Sequence, residues 1–368
     1  MNRQFSLPSK KNVQAGESSD SFDSSYTKLS LTDKLLPIFI LLAMMLGLLF
    51  GKLNGAFVSR INSLQVTKGV SLLIFLGLLL MLYPPLAKIK YHEFKFLGSS
   101  KKQIFVSVIF NWLLGPAVMF ILAWIFLPDS SSLRTGLILV GIARCIAMVV
   151  LWSDMAKGDS ELTALLVLIN SIFQITAYSV LAYLYLTKIP SWLHLGTAVV
   201  HISFWLIAEN ILIYLGIPLL LGFITRLILE QIFSRKWYET IFCNKIGHVA
   251  TFGLIFTIFM LFSISGKYIL KQPLLILNVA VALIIYFLVM FFSAFFTGYK
   301  LKFSYEKTAS LAFTASGNNF ELAIAVAIGI FGISSNQTLA GITGPMVEIP
   351  TLVLLTYLSR NLSKYFIK

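Results

Sequence analysis

Ten long apolar runs follow one another along the chain, separated by short polar, charged or Gly/Pro-bearing breaks. They read at 35–51, 67–87, 103–127, 134–152, 162–187, 205–229, 247–266, 273–298, 308–332 and 338–359. A hydrocarbon core about 30 Å thick takes roughly 20 helical residues at about 1.5 Å each, so every run predicts one membrane-spanning helix. The runs lack the two-residue alternation of a membrane barrel strand, and strands are not expected. An all-α polytopic membrane protein is the fold class.

Composition agrees. Of 368 residues, 58% are hydrophobic and only 12% charged, about half the charge that wets a soluble domain. The surface that water cannot cover must face lipid. Of the 29 Lys and Arg, 21 fall on the side that holds both termini, 7 on the other, and Arg144 lies inside a span. By the positive-inside rule both termini are cytoplasmic. The net charge of +14 is then an orientation signal with some attraction to anionic membrane lipids, and no basic soluble domain exists to bind nucleic acid. Residues 1–33 are polar and rich in Ser, without an apolar signal region, and read as a disordered cytoplasmic tail. Cys145 and Cys243 alone cannot make a disulfide framework.

Two halves, 34–190 and 191–368, each hold five spans. An odd-numbered unit inserts upside down when duplicated, which is the inverted repeat of many transporters. Spacings of four echo between the halves: Gly141 to Cys145 and Gly317 to Glu321, then Asn170 to Gln174 and Gly344 to Glu348.

A charge at a helix centre costs about 2.5–3.5 kcal/mol even on the mild insertion scale, so mid-span ionisable residues mark function. Arg144, Glu321 and Glu348 are such residues, whereas Glu209 lies near the start of its span. Ser316-Gly317-Asn318-Asn319 interrupts the ninth span with poor helix formers that compete for backbone hydrogen bonds. A broken helix is predicted there, and less strongly at Gly141 in the fourth span and Gly344-Pro345 in the tenth. Breaks at this depth must be buried or line a wet cavity, and their half-helix ends carry partial charges. Plainer roles stand beside these: Cys145 as a small hydrophobe, the Asn pair as glue between helices, Arg144 as a cap on freed carbonyls, and Asp154, Lys157 and Asp159 as turn and cap residues. Phosphate loops, metal-spaced His pairs and nucleophile elbows are missing. The one buried Cys has no His beside it, so an enzyme is not expected, no cofactor is called for, and transport would draw on an ion gradient or a partner.

The segments GIARCIAMVVLWSDMAKGD (141–159), NSIFQ (170–174), ASGNNFELAIAVAI (315–328) and GPMVEIP (344–350) resemble the arsenical-resistance arsenite permeases, the efflux branch of the bile acid/sodium symporter superfamily. The resemblance covers all ten spans. It implies ten helices in two inverted repeats with crossed, broken fourth and ninth helices. It also implies extrusion of arsenite as As(OH)3, for some members antimonite, in exchange for protons across the cell membrane. The essential cysteine falls on Cys145 and the two glutamates on Glu321 and Glu348. Gly317 departs from the Ser or Ala expected there, and Ser153 from the usual Asn; Cys243 matches no motif. A thiolate is the soft ligand for trivalent arsenic, and a carrier site must also let go, so a single Cys145 fits. Asn318, Asn319, Asn170 or Gln174 would bond the remaining hydroxyls. Glu321 would carry the proton, with Glu348 and Arg144 setting its affinity. Two alternatives stay open: a sodium-coupled organic-anion carrier in which Cys145 is inessential, and a membrane sensor or scaffold.

Overall fold

The computed structural model describes residues 31–54, 65–67, 70–89, 100–195, 203–271 and 273–366. Leu36–Lys368 forms one compact unit. The tail expected over 1–33 lies outside the described residues up to residue 30.

All ten apolar runs are largely helical where described, with breaks inside the fourth and ninth and a short strand at the start of the second. The helices are α1 (Leu31–Leu53), α2 (Leu72–Ala87), α3 (Lys101–Phe126), α4 (Ser131–Ile142), α5 (Met148–Met155), α6 (Ser160–Trp192), α7 (Phe204–Ile232), α8 (Cys243–Lys271), α9 (Pro273–Lys300), α10 (Tyr305–Ser316), α11 (Phe320–Phe331) and α12 (Asn336–Leu362). Six helical stretches are long and apolar enough to cross a membrane in one piece. The fourth and ninth runs are each split in two, α4 with α5 and α10 with α11. A two-stranded pairing of Gln65–Thr67 with Val70–Ser71 precedes α2.

Three spans contain a widened turn immediately before a proline. Gly115, Ile189 and Ile217 each donate their N–H five residues back, to Phe110, Leu184 and Leu212, and Pro116, Pro190 and Pro218 follow at once. A proline ring collides with the carbonyl four residues earlier and offers no N–H. Widening the turn by one residue relieves the collision while the span stays helical. The tenth span behaves differently from expectation, because α12 runs unbroken through Gly344-Pro345 and Pro350. Its neighbours hold it: a Cβ on Gly344 would strike the Phe320 ring of α11, and 72% of its apolar window is buried. Packed neighbours let a membrane helix tolerate such residues.

Helix packing shows two groups, which meet where α7 and α2 pack against α11 and α8 against α12. α1, α2, α7 and α8 pack on one another through close approaches, Gly47 and Gly51 lying on Phe259–Ser263, Gly253 on Leu80-Met81, and Gly222 on Ala87. The second group joins α3 to α4 and α9, α4 to α12, α9 to α10 and α12, and α11 to α12. Exposed apolar side chains line the outer helices, such as Leu41, Met45 and Leu49 of α1, Leu220, Ile224 and Ile228 of α7, and Val289, Phe292 and Phe296 of α9. They form the lipid-facing surface of a polytopic membrane protein. By contrast, α10 is buried continuously from Thr308 to Ser316 and α11 from Leu322 to Ile328, which places the split ninth span inside, and α4 of the fourth is buried from Leu133 to Ile142.

Short-range chemistry fixes the ends of the split spans. Asp159 accepts the Leu162 N–H at 2.9 Å and caps α6, in keeping with its reading as a cap residue, and Lys157 takes the left-handed conformation of the turn (φ 58°). Ser153 shares hydrogen bonds with Thr163 (2.8 Å) and Ser310 (3.2 Å), while Tyr305 donates to the Ala156 carbonyl at 2.8 Å. The end of α5 and the start of α10 are thereby tied together.

Candidate functional site

Ala143 to Ala147 lie outside a helix between α4 and α5, and Gly317 to Asn319 between α10 and α11. Ala143 (φ −75°, ψ 122°) and Gly317 (φ −71°, ψ 142°) turn the backbone extended and end the first half of each span. The freed backbone groups then satisfy one another. Cys145 N–H donates to the Gly317 carbonyl at 3.3 Å and Asn319 N–H to the Ala143 carbonyl at 3.2 Å, an antiparallel bridge in which Arg144 faces Asn318. The Asn318 amide adds donations to the Val140 and Ala143 carbonyls at 2.8 and 3.1 Å. Arg144, Cys145, Asn318 and Asn319 are all buried, so the non-helical backbone at membrane depth is enclosed by protein, as it must be.

Both second half-helices begin at this bridge, with the partial positive charge of their N-termini. The Cys145 sulfur accepts the Val149 N–H of α5 at 3.3 Å, and Asn319 Oδ1 accepts the Leu322 N–H of α11 at 3.0 Å. Glu321 stands in the first turn of α11, half-buried. Glu348 of α12 is buried and lies within electrostatic reach of Glu321; both carboxyls are within such reach of Cys145.

Asn170 and Gln174, one turn apart on α6, flank the bridge. Gln174 Oε1 accepts the Arg144 backbone N–H, and Asn170 Oδ1 accepts the Trp112 indole N–H at 3.3 Å. The Arg144 guanidinium goes to neutral partners, donating to the Tyr286 hydroxyl at 2.8 Å and to the Gly141 carbonyl. Gly115 makes room for it, since a Cβ there would lie 2.6 Å from Nη1. Glu209 is exposed, and Cys243 stands at the start of α8, outside the bridge.

Twelve buried side-chain N or O atoms lack a hydrogen-bond partner among the described residues, and six belong to this one cluster: Arg144 Nε, Asn170 Nδ2, Gln174 Nε2, Asn318 Oδ1, Asn319 Nδ2 and Glu348 Oε1. Each such atom costs about 1–3 kcal/mol if nothing satisfies it. Arg144, Asn318 and Asn319 belong to the bridge that also holds Cys145, and Gln174 bonds to it, so unpartnered polar atoms gather in this part of the molecule. No group of three or more His, Cys, Asp or Glu side chains suited to a metal ion occurs among the described residues.

Sequence reasoning missed Tyr286, Trp112 and Gly115. Tyr286 carries a signal in retrospect: it is a phenol in the middle of the 28-residue apolar α9, whose other tyrosine, Tyr299, lies at the end, and a buried hydroxyl needs a partner.

Residues 75–272 match the model of a family described as the Sodium Bile acid symporter family. The chain is 49% identical over 330 residues to the Arsenical-resistance protein Acr3 of Corynebacterium glutamicum, covering 90% of this chain and 89% of that protein. It is 30% identical over 347 residues to the Arsenical-resistance protein Acr3 of Alkaliphilus metalliredigens, covering 91% and 94%. An uncharacterized transporter of Synechocystis sp. is 29% identical over 357 residues, covering 92% and 91%.

Proposed function

The chain belongs to the Sodium Bile acid symporter family, and from that premise we propose that this membrane transporter carries arsenite out of the cell as the neutral trihydroxide, in exchange for protons. Two relatives named for arsenical resistance, each aligned over about nine-tenths of this chain, support the substrate. The observation that carries the reading is the buried Cys145 in a backbone bridge whose residues Arg144, Asn318 and Asn319 also carry unpartnered polar atoms.

In the proposed cycle the Cys145 thiol displaces one hydroxyl of As(OH)3. An S–As bond forms, an As–O bond breaks, and water leaves with the thiol proton. The two remaining hydroxyls bond to amides of Asn318, Asn319, Asn170 and Gln174, which can donate or accept as needed. Hydrolysis reverses the step and releases the cargo. One bond of this kind is reversible, where several thiolates would hold too firmly to transport. A neutral solute gains nothing from the membrane potential, so outward pumping needs a coupled ion. Glu321 serves as the proton carrier, with Glu348 beside it; Arg144 acts by holding the bridge open through its backbone and guanidinium contacts. Antimonite has the same chemistry and is a second substrate.

The proposed architecture is ten spans in two inverted repeats, 34–190 and 191–368, with cytoplasmic termini in the cell membrane. Two features support it. Spans one, two, six and seven pack as one group, and the fourth and ninth spans are both split and joined at their breaks. Export then proceeds by rocking one group against the other.

Arsenite uptake into everted membrane vesicles under an imposed pH gradient tests the reading. The parent protein accumulates arsenite, and Cys145→Ser and Glu321→Gln both abolish accumulation while reaching parental amounts in the membrane. Uptake by Cys145→Ser at the parental rate overturns the chemistry. Replacing sodium with choline leaves uptake unchanged; a collapse there favours the sodium-coupled alternative.

A further inference from the structure

Gly317 has no conformational reason to be glycine. Its φ of −71° and ψ of 142° lie in the extended region open to every L-residue, and its carbonyl accepts the Cys145 N–H whatever the side chain. What distinguishes the position is space. A Cβ on residue 317 would lie 3.0 Å from Cys145 Cβ, 3.6 Å from Cys145 Sγ and 3.4 Å from the Phe313 carbonyl oxygen. The first distance is too close for an undisturbed side chain, and the second is ordinary van der Waals contact. An added methyl therefore covers one flank of the sulfur and pushes the Cys145 side chain by a few tenths of an ångström. Without it, no side chain of residue 317 lies against the sulfur.

We propose that Gly317 is a specificity-determining residue: its missing side chain leaves room at the Cys145 sulfur for the larger antimony trihydroxide as well as for arsenite. The proposal rests on the arsenite-export reading and names the residue that sets the size limit of the same site. A second observation shows that this flank belongs to a ligand site. The next two residues, Asn318 and Asn319, are buried to 1% exposure and carry unpartnered Oδ1 and Nδ2 atoms. Both residues belong to the same backbone bridge as Cys145 and Gly317. Arsenic and antimony trihydroxides present the same donors and acceptors, so hydrogen bonding does not separate them. Size does, and one methyl of pocket volume changes discrimination by about 10- to 200-fold at most.

The experiment measures initial rates of arsenite and antimonite uptake into everted vesicles holding the parent, Gly317→Ala or Gly317→Ser, all with Cys243→Ser so that Cys145 is the single thiol. The parent moves both solutes. In Gly317→Ala the antimonite-to-arsenite rate ratio falls about tenfold, with arsenite transport retained, and Gly317→Ser falls alike because its Cβ is the same. A companion measurement, independent of transport, follows alkylation of Cys145 by a small and a bulky thiol reagent; Gly317→Ala slows the bulky reagent more. Equal loss for both solutes, an unchanged ratio, or a parent that moves arsenite and rejects antimonite each overturns the proposal and leaves arsenite export standing. If neither variant reaches the membrane, the parent's own ratio still decides. A parent that moves neither solute overturns the export reading and this proposal together.

Discussion

Arg144 is the most costly residue in the site, a guanidinium buried completely at membrane depth, and its surroundings show how the charge is tolerated. It has no carboxylate among its hydrogen-bond partners; it is held by the Tyr286 hydroxyl and the Gly141 carbonyl over the bare backbone of Gly115. The sequence marked Arg144 as functional because charges are expensive there, yet left open whether it neutralises an acid or caps carbonyls. The contact to Gly141, the last but one residue of α4, is of the capping kind. Tyr286→Phe removes the Nη1 acceptor and little volume. An unpaired charged donor costs about 1–3 kcal/mol, or roughly 5- to 150-fold in any step that needs Arg144 in place, at about 1.4 kcal/mol per tenfold. The arsenite uptake rate of Tyr286→Phe vesicles should fall at least about fivefold at equal protein. A parental rate means that the contact is idle.

Among elements, the half-helices carry the design. α11 starts with Asn319 capping the Leu322 N–H, so this residue has two separable jobs, an Oδ1 that caps and an Nδ2 left unpartnered. Losing an N-cap costs about 1 kcal/mol on average. Asn319→Ala loses both jobs, whereas Asn319→Ser keeps a capping oxygen and loses the amide. Thermal melting in detergent should drop for Asn319→Ala and stay near the parent for Asn319→Ser, while arsenite uptake falls in both. Restored uptake in Asn319→Ser confines the residue to capping. The break at Gly317–Asn319 was legible because Gly and Asn compete with helix for backbone bonds, and the break after Gly141 followed by weaker analogy. Their mutual pairing was not legible. A two-bond backbone bridge between residues about 170 positions apart leaves no local pattern, and periodicity reports only burial. The tenth span shows the opposite error, because Gly344-Pro345 looked like a break. Gly344 instead serves the close approach of the Phe320 ring, and packing overrides what Pro costs in an isolated helix, about 3 kcal/mol. The widened turns before Pro116, Pro190 and Pro218 follow the same logic at smaller scale, since three prolines inside spans cost a turn each without ending a helix.

At the scale of the whole molecule, the two packing groups must move relative to each other for a buried site to open alternately, and the energy for uphill export must come from the coupled ion. One elementary charge crossing 100 mV supplies about 2.3 kcal/mol. At about 1.4 kcal/mol per tenfold, one proton per arsenite sustains roughly a fifty-fold gradient of the neutral solute, and two protons roughly the square of that. The cycle proposed for Glu321 moves one proton inward for each arsenite outward. Everted vesicles with equal pH on both sides, clamped at 100 mV lumen-positive by a potassium gradient and ionophore, should therefore concentrate arsenite to a plateau of about fifty-fold. The potential replaces the pH gradient as driving force, and tracer arsenite in the lumen reads the plateau directly. A plateau in the thousands means that a second carboxyl titrates in the cycle, and Glu348, beside Glu321 at the bridge, is then its site; Glu348→Gln returns the plateau to about fifty-fold. A plateau of one at this potential, with accumulation still driven by a pH gradient, overturns the exchange of one proton for the neutral trihydroxide, because that exchange always carries one net charge and only a further co-moving ion could cancel it.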